Sequence, residues 1–149
     1  KISWRQWRSF LFPQSRLLCP SVFQVEKDES IEISQFTLKE VIRQTIFSIA
    51  DTESNKLMTG ELFEIRGGML RVISLDGHRI SIRRIELRNE VGDKKLIVPG
   101  KTLIEVSKIL SGEAESMVSI SYTSNHIVFE FDNTVVVSRL PHSWNQSAT

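Results

Sequence analysis

The feature that most constrains this fold is one order of predicted elements, strand, helix and three strands, which occurs twice along the chain. The first half is predicted to contain these elements at 31–33, 37–50, 59–65, 69–75 and 79–87. The second half is predicted to contain them at 96–98, 102–110, 117–122, 126–131 and 134–140. Two such units predict an α+β domain with both helices on one side of antiparallel sheets and internal pseudo-twofold symmetry.

Helical periodicity predicts the buried faces of the two helices. Thr37 is placed to cap the first helix, and Phe47 lies outside its apolar stripe with no partner that the sequence identifies. The second helix is expected to turn three residues inward, namely Leu103, Val106 and Leu110. The apolar arc of the first helix consists of Leu38, Val41, Ile42, Thr45, Ile46 and Ile49.

Turn residues separate the predicted strands. Gly67-Gly68 and Asp76-Gly77 divide the first set, and Ser124-Asn125 and Asp132-Asn133 divide the second. The Asp-Gly pair between two alternating runs is a strong hairpin signal, because glycine supplies the positive φ that a tight turn requires. The sequence therefore predicts a hairpin with its tip at Asp76-Gly77.

Composition limits the classes of function. The 149 residues, with 40% hydrophobic and 25% charged side chains, are typical of one globular domain. The net charge of +1 is uneven, because residues 1–25 carry four bases and no acid, whereas the rest has three more acids than bases. Contact with DNA phosphates would therefore require local clusters of Lys and Arg. The single Cys19 gives no sign of an oxidising compartment.

The two ends of the chain lack a regular pattern. Residues 1–25 are basic and rich in Trp, but Pro13, Gln14 and Arg16 interrupt their apolar run. They therefore offer neither a signal-peptide core nor a membrane span, and we interpret them as an irregular segment without a targeting role. Residues 141–149 form a similarly patternless tail.

Between these ends, from about residue 31 to 140, the chain resembles the middle domain of the bacterial sliding clamps, the beta subunit of DNA polymerase III. The resemblance implies the DNA clamp fold for residues 26–140. Family members contain three such domains, and this chain has room for one, so we expect a truncated or frame-shifted single-domain fragment. The matching segments are Phe36-Thr37-Leu38, Phe47-Ser48-Ile49-Ala50, Gly60-Glu61-Leu62-Phe63-Glu64, Asp76-Gly77-His78-Arg79, Val98-Pro99 and Ser138-Arg139-Leu140.

The resemblance also implies a groove that accepts short peptides from polymerases, clamp loaders and repair proteins. Apolar walls and a glycine that admits a close backbone approach suit such a groove. Spacing alone favours a plainer interpretation, in which Asp76-Gly77 is only a turn and His78 and Arg79 are solvated. The groove residues that the resemblance implies are Met58, Leu75, Gly77, His78, Arg79 and Ile80.

A second implied site is a DNA-facing surface. Lys39 and Arg43 share one face of the first helix, and Lys101 and Lys108 share one face of the second. The resemblance implies that these four cations, with Asn55 and Lys56, meet phosphates inside a ring. The alternative is an ordinary solvated surface, because Glu40 and Glu105 lie close by.

Other chemistry has little support. Gly100-Lys101-Thr102 resembles the end of a phosphate-binding loop, but Lys95 stands where that motif requires glycine. The three histidines are scattered, and a second cysteine for a zinc site is absent from the sequence. No Gly-x-Ser-x-Gly elbow occurs. We expect no catalysis, no cofactor and no metal.

The resemblance therefore implies a cytoplasmic, non-catalytic processivity factor. Its expected partners are double-stranded DNA within an assembled ring, other clamp domains, and DNA polymerase III and clamp-loader subunits through their clamp-binding peptides. The alternative is a stand-alone protein-interaction module of clamp fold that binds no DNA. A nucleotide-dependent enzyme is a more distant alternative.

Overall fold

The structure is a computed structural model that describes residues 29–50, 59–89 and 91–141. The predictions for residues 1–25 and for the tail beyond residue 141 lie outside the described residues. The first half contains β1 (Ser30–Ser34), α1 (Gln35–Thr45), a 3₁₀ turn (Ile46–Ser48), β2 (Gly60–Arg66), β3 (Met69–Leu75) and β4 (Ile80–Glu86). The second half contains β5 (Lys94–Pro99), α2 (Gly100–Ile109), β6 (Met117–Tyr122), β7 (His126–Phe131) and β8 (Thr134–Arg139).

The two halves exchange their first strands. One sheet has the order β1-β6-β7-β8 and the other has the order β4-β3-β2-β5, and every neighbouring pair is antiparallel. β1 pairs with β6, so that Ser30 lies opposite Ser121, and β5 pairs with β2, so that Pro99 lies opposite Gly60. The predicted α+β clamp fold with a duplicated unit is confirmed. Each four-stranded sheet requires both halves of the chain.

Both helices begin two residues earlier than predicted. The backbone N–H of Gln35 donates to the carbonyl oxygen of Ser116 at 2.8 Å, and that of Gly100 donates to Thr59 at 3.1 Å. These long-range bonds fix the helix starts, and neither N-cap residue caps its helix through its side chain. The prediction that Thr37 caps the first helix was therefore wrong, as was its extension to residue 50, because α1 ends at Thr45.

The hydrophobic core joins both helices to both sheets. The arc predicted for the first helix is buried at Leu38, Val41, Ile42 and Thr45, whereas Ile46 is only partly buried. The inward positions of the second helix are confirmed, because Leu103, Val106 and Leu110 are all buried. None of the helices within 29–50, 59–89 and 91–141 is long and apolar enough to cross a membrane.

Buried Gln35 links the halves through its side chain. Its Nε2 donates to the carbonyl oxygen of Met117 and to Asp132 Oδ2, each at 3.3 Å, and its Oε1 accepts from the N–H of Ser111 at 2.9 Å. A buried amide that donates and accepts in this way stabilises one specific arrangement, since its own polar atoms would otherwise be buried without a bond. Gln35 therefore holds the start of α1 against the second half.

Candidate functional site

The hairpin between β3 and β4 contains most of the predicted groove residues. Leu75 ends β3 and lies directly opposite Ile80, the first residue of β4. Their side chains are 39% and 63% exposed, which is high for large apolar residues. Gly77 lies between them at φ 89°, a conformation that favours glycine. The hairpin prediction is confirmed, and Leu75 and Ile80 form an exposed apolar pair at its tip.

Asp76 organises this tip. Its Oδ1 accepts the backbone N–H groups of His78 at 2.9 Å and Arg79 at 2.8 Å. Its Oδ2 accepts Nε and Nη2 of Arg79 at 2.9 and 2.8 Å. The N–H of His78, followed by the Arg79 side chain, lowers the pKa of Asp76 to about 2. The carboxylate therefore stays charged at neutral pH, and one side chain holds both the backbone of the turn and its arginine.

Phe47 lies beside the same arginine. The guanidinium carbon of Arg79 is 5.9 Å from the centre of the Phe47 ring, within the range of a cation–π contact. Phe47 is 56% exposed and follows α1 in the 3₁₀ turn. Its position outside the apolar stripe is thus explained by a neighbour in the hairpin rather than in the core. Sequence spacing gave no signal for this contact or for the role of Asp76.

The apolar surface continues away from the tip. Side chains of β3 and β4 alternate between a face turned toward the helices and an outer face, and Leu75 and Ile80 lie on the outer face. Two residues further along, Ile73 lies opposite Ile82, whose side chain is 47% exposed. The outer face therefore carries two adjacent apolar pairs.

Three of the predicted DNA-contacting cations are engaged within the domain. Lys39 Nζ donates to the carbonyl oxygen of Leu110 at 3.0 Å, which places its charge at the C-terminus of α2, where the helix dipole favours a cation. Arg43 forms two hydrogen bonds with Glu40, at 3.0 and 2.7 Å. The bonded arginine lowers the pKa of Glu40. Lys108 pairs with Glu105 at 2.7 Å.

Lys101 is exposed in the first turn of α2, in the segment that resembles a phosphate-binding loop. The N–H of Gly100 in that segment is already bonded to Thr59. The hydroxyl of Thr102 lies 2.7 Å from that of Ser138 in β8. The predicted residues Met58, Asn55 and Lys56 lie outside the described residues.

One ionisable group is buried without an evident role. Glu61 in β2 is fully buried, and neither of its carboxylate oxygens has a hydrogen-bond partner among the described residues. The hydroxyl of nearby Thr45 donates instead to the carbonyl oxygen of Val41 at 2.8 Å. Burial raises the pKa of Glu61 to about 7, because the charged form loses its hydration. Sequence patterning did not single out this residue.

Comparison with known proteins agrees with this architecture. The beta sliding clamp of Staphylococcus aureus is 35% identical over 121 residues, which are 81% of this chain and 32% of that protein. A candidate DNA polymerase III beta subunit from Eubacterium rectale ATCC 33656 superimposes with a TM-score of 0.77 and 69% identity, covering 78% of this chain and 32% of that one. The sliding clamp of Bacillus subtilis superimposes with the same TM-score and 30% identity, covering 85% and 33%.

The chain thus spans about a third of the length of the relatives that it matches. The family model described as DNA polymerase III beta subunit, central domain, matches residues 32–143. That match includes both helices and all strands from β2 to β8. The chain belongs to the DNA polymerase III beta subunit family, the bacterial sliding clamps, and matches their central domain.

Proposed function

We propose that this chain acts as the middle domain of a DNA polymerase sliding clamp, a non-catalytic processivity factor in the cytoplasm. Residues 26–140 form the clamp domain, flanked by the segments 1–25 and 141–149. Together with other clamp domains it encircles double-stranded DNA. Its groove tethers DNA polymerase III and clamp-loader subunits through their clamp-binding peptides.

The observation that carries the proposal is the exposed apolar pair Leu75 and Ile80, held on a turn that Asp76 fixes. An exposed apolar pair on a rigid hairpin suits a partner side chain, because little conformational freedom is lost on binding. Gly77 admits a close approach of the partner's backbone, and His78 and Arg79 are exposed beside it. Met58 completes the proposed groove from the segment that precedes β2.

Four of the proposed DNA contacts lie on the helices, two on each. In an assembled ring these cations meet phosphates and read no bases, so they act by charge and position. Lys101 is the best placed of them, because it is exposed at the start of α2. The complete proposed set is Lys39, Arg43, Asn55, Lys56, Lys101 and Lys108.

One observation favours a second candidate function, a stand-alone protein-interaction module that binds no DNA. Lys39, Arg43 and Lys108 are all bonded to groups of this domain. Cations that are already paired gain less from a phosphate, because the existing partner must be released. In this alternative, the peptide groove is the whole function.

Titration with a labelled peptide of the Gln-Leu-x-Leu-Phe type tests the groove. We expect weak saturable binding, which Leu75→Asp reduces about ten-fold, because a carboxylate would replace an apolar wall. His78→Ala should also weaken binding. The matched control is Val135→Asp, since Val135 is a similarly exposed apolar residue, at 42%, on β8 of the other sheet.

The control should bind the peptide as the wild type does. Equal affinity for the wild type, Leu75→Asp and His78→Ala would contradict the groove. Retention on circular DNA, measured with the other clamp domains present, separates the two candidate functions. A complex that stays on circular DNA and leaves after linearisation supports the clamp, whereas peptide binding without such retention supports the stand-alone module.

A further inference from the structure

The outer face of β3 and β4 changes from apolar to cationic with distance from the hairpin tip. Beyond the pair of Ile73 and Ile82, the next two residues on this face, Arg71 and Arg84, again lie directly opposite one another. Steps of two residues along a strand advance about 7 Å. The arginine pair therefore lies about 14 Å from Ile80, within reach of one extended segment of four or five residues.

The cations on this face outnumber the carboxylates that pair with them. Glu64 is shared, because Arg71 Nη1 lies 2.9 Å from one of its oxygens and Lys95 Nζ lies 3.1 Å from the other. The hydrogen bond from Lys95, together with the charges of both cations, lowers the pKa of Glu64. One carboxylate thus serves two cations.

Arg84 has no carboxylate of its own within ion-pair distance among the residues that the structure describes, and its side chain is exposed. Glu86, the next acid on this face, lies opposite Met69. Arg71 also has an unused hydrogen-bond donor, since its Nε is buried and has no hydrogen-bond partner in the described part of the chain. The arginine pair is therefore under-neutralised.

We propose that this face continues the peptide groove as a track for an acidic extension of the partner, whose apolar residues lie over Ile73 and Ile82 and whose carboxylate pairs with Arg84 beside Arg71. The inference rests on the proposed groove and specifies the class of peptide that it selects. A peptide that combines apolar and acidic residues fits better than a nucleic acid, because a phosphate backbone has no apolar group to lie over the pairs Leu75–Ile80 and Ile73–Ile82. Rim charges of this kind chiefly confer specificity.

Five forms of one peptide test the track. The first is the Gln-Leu-x-Leu-Phe type alone, and the others carry four further residues at the amino or carboxyl end, finishing in two Asp or in two Lys. We expect one of the two Asp forms to bind the wild type about five-fold more tightly than the short peptide, with a gain that high salt removes. The matching Lys form should show no gain.

Charge reversal identifies the residue. In Arg84→Glu the gain from the Asp form should disappear and the Lys form should gain instead, whereas the short peptide should bind unchanged. Arg139→Glu, on β8 of the other sheet, is the matched control and should behave as the wild type. A gain that persists in Arg84→Glu, or equal binding of Asp and Lys forms, overturns the track.

The other outcomes are equally distinct. If the short peptide fails to bind, the groove itself is wrong, and the track is overturned with it. If Arg84→Glu instead weakens binding of duplex DNA or abolishes a dimer of this chain, the face has another occupant and the proposal is overturned. Because the short peptide lacks the acidic extension, its affinity separates failure of the groove from failure of the track.

Discussion

The two halves of the molecule hold the starts of their helices with the same kind of backbone bond but with different side chains. In each half, the first helical N–H donates to the residue just before a strand of the other half, from Gln35 to Ser116 and from Gly100 to Thr59. The backbone bond is thus repeated, but the side chains differ. Gln35 fills its site with a hydrogen-bonded amide, whereas Gly100 has no room for a side chain, since a Cβ there would lie 2.9 Å from the carbonyl oxygen of Thr59.

The β3–β4 turn and the β7–β8 turn each contain an aspartate, but the two side chains take different roles. Asp76 bonds within its own turn and leaves His78 and Arg79 exposed. Asp132, in the two-residue turn between β7 and β8, has φ 50° and accepts a bond from buried Gln35. One aspartate therefore supports an exposed site and the other joins the halves. A duplicated fold keeps its backbone pattern while its side chains take different roles.

A third difference concerns the second residue of β2 and of β6, which is Glu61 in one half and Val118 in the other. Both are fully buried. Valine suits that environment, whereas a carboxyl there is disfavoured in its charged form.

The largest expected effect is a loss of stability with rising pH that depends on Glu61. In the folded protein the pKa of Glu61 is raised to about 7 from an ordinary 4.5, so the folded state keeps a proton that the unfolded chain releases. The stability that the protonated Glu61 carboxyl contributes is therefore complete below the pKa of Glu61 in the unfolded chain. It is lost as the pH rises through the pKa of Glu61 in the folded protein. The loss amounts to about 3 kcal/mol.

Urea denaturation at pH 5 and pH 8 measures this effect. The wild type should be less stable at pH 8, and most of the difference should vanish in Glu61→Gln, which cannot ionise. Asp76 does not interfere, because its pKa of about 2 places its titration below this range. The same pH dependence in both proteins would show that Glu61 is not the responsible group.

Smaller losses, of about 2 kcal/mol each, are expected at the two helix starts. Gln35→Ala removes the three hydrogen bonds of a fully buried side chain, and Gly100→Ala forces a methyl group against Thr59 and Ile49. Thermal or urea unfolding gives both values. Gln44→Ala, at an exposed glutamine of α1, is the matched control and should change stability by less than about 0.5 kcal/mol.

If Gly100→Ala were as stable as the wild type, the close approach at the start of α2 would be easily relieved. The two helix starts would then differ in energy although they share the same backbone bond. A similar result for Gln35→Ala would mean that the exchanged strands alone hold the halves together.

These positions also show what sequence patterns detect. The strands at 69–75, 117–122 and 126–131 were predicted to the residue, since alternation and turn signals are local. The helix starts were misplaced by two residues because their N–H groups bond to residues far along the chain. Arg84 beside Arg71, and Phe47 beside Arg79, depend on register and tertiary packing. The hairpin between Leu75 and Ile80 was predicted because Asp76-Gly77 is a recognisable turn, whereas the assignment of both residues to a groove came from the resemblance.

A further prediction separates the two aspartate turns. Asp76→Ala removes an acceptor of four hydrogen bonds, but its partners are exposed and can bond to water, so stability should fall by less than in Gln35→Ala. Peptide affinity should fall about five-fold, because the turn is no longer fixed. Asp132→Asn, which tolerates the left-handed conformation, should leave peptide affinity unchanged. Peptide titration and unfolding, measured on the same samples, show whether Asp76 alone or both aspartates affect peptide binding.

The smallest expected effects distinguish the cations of the two helices. Lys39→Ala should lower stability by about 0.5 kcal/mol, since it removes a charge that favours the C-terminus of α2. Lys101→Ala should leave stability unchanged within error, because its side chain is exposed at the helix start. In an assembled ring, Lys101→Ala should instead reduce the slope of DNA binding against salt by about one, the loss of one phosphate contact. If Lys39→Ala changed that slope and left stability intact, the hydrogen bond from Lys39 to Leu110 would be released on DNA binding. The first helix rather than the second would then be the principal phosphate-binding element.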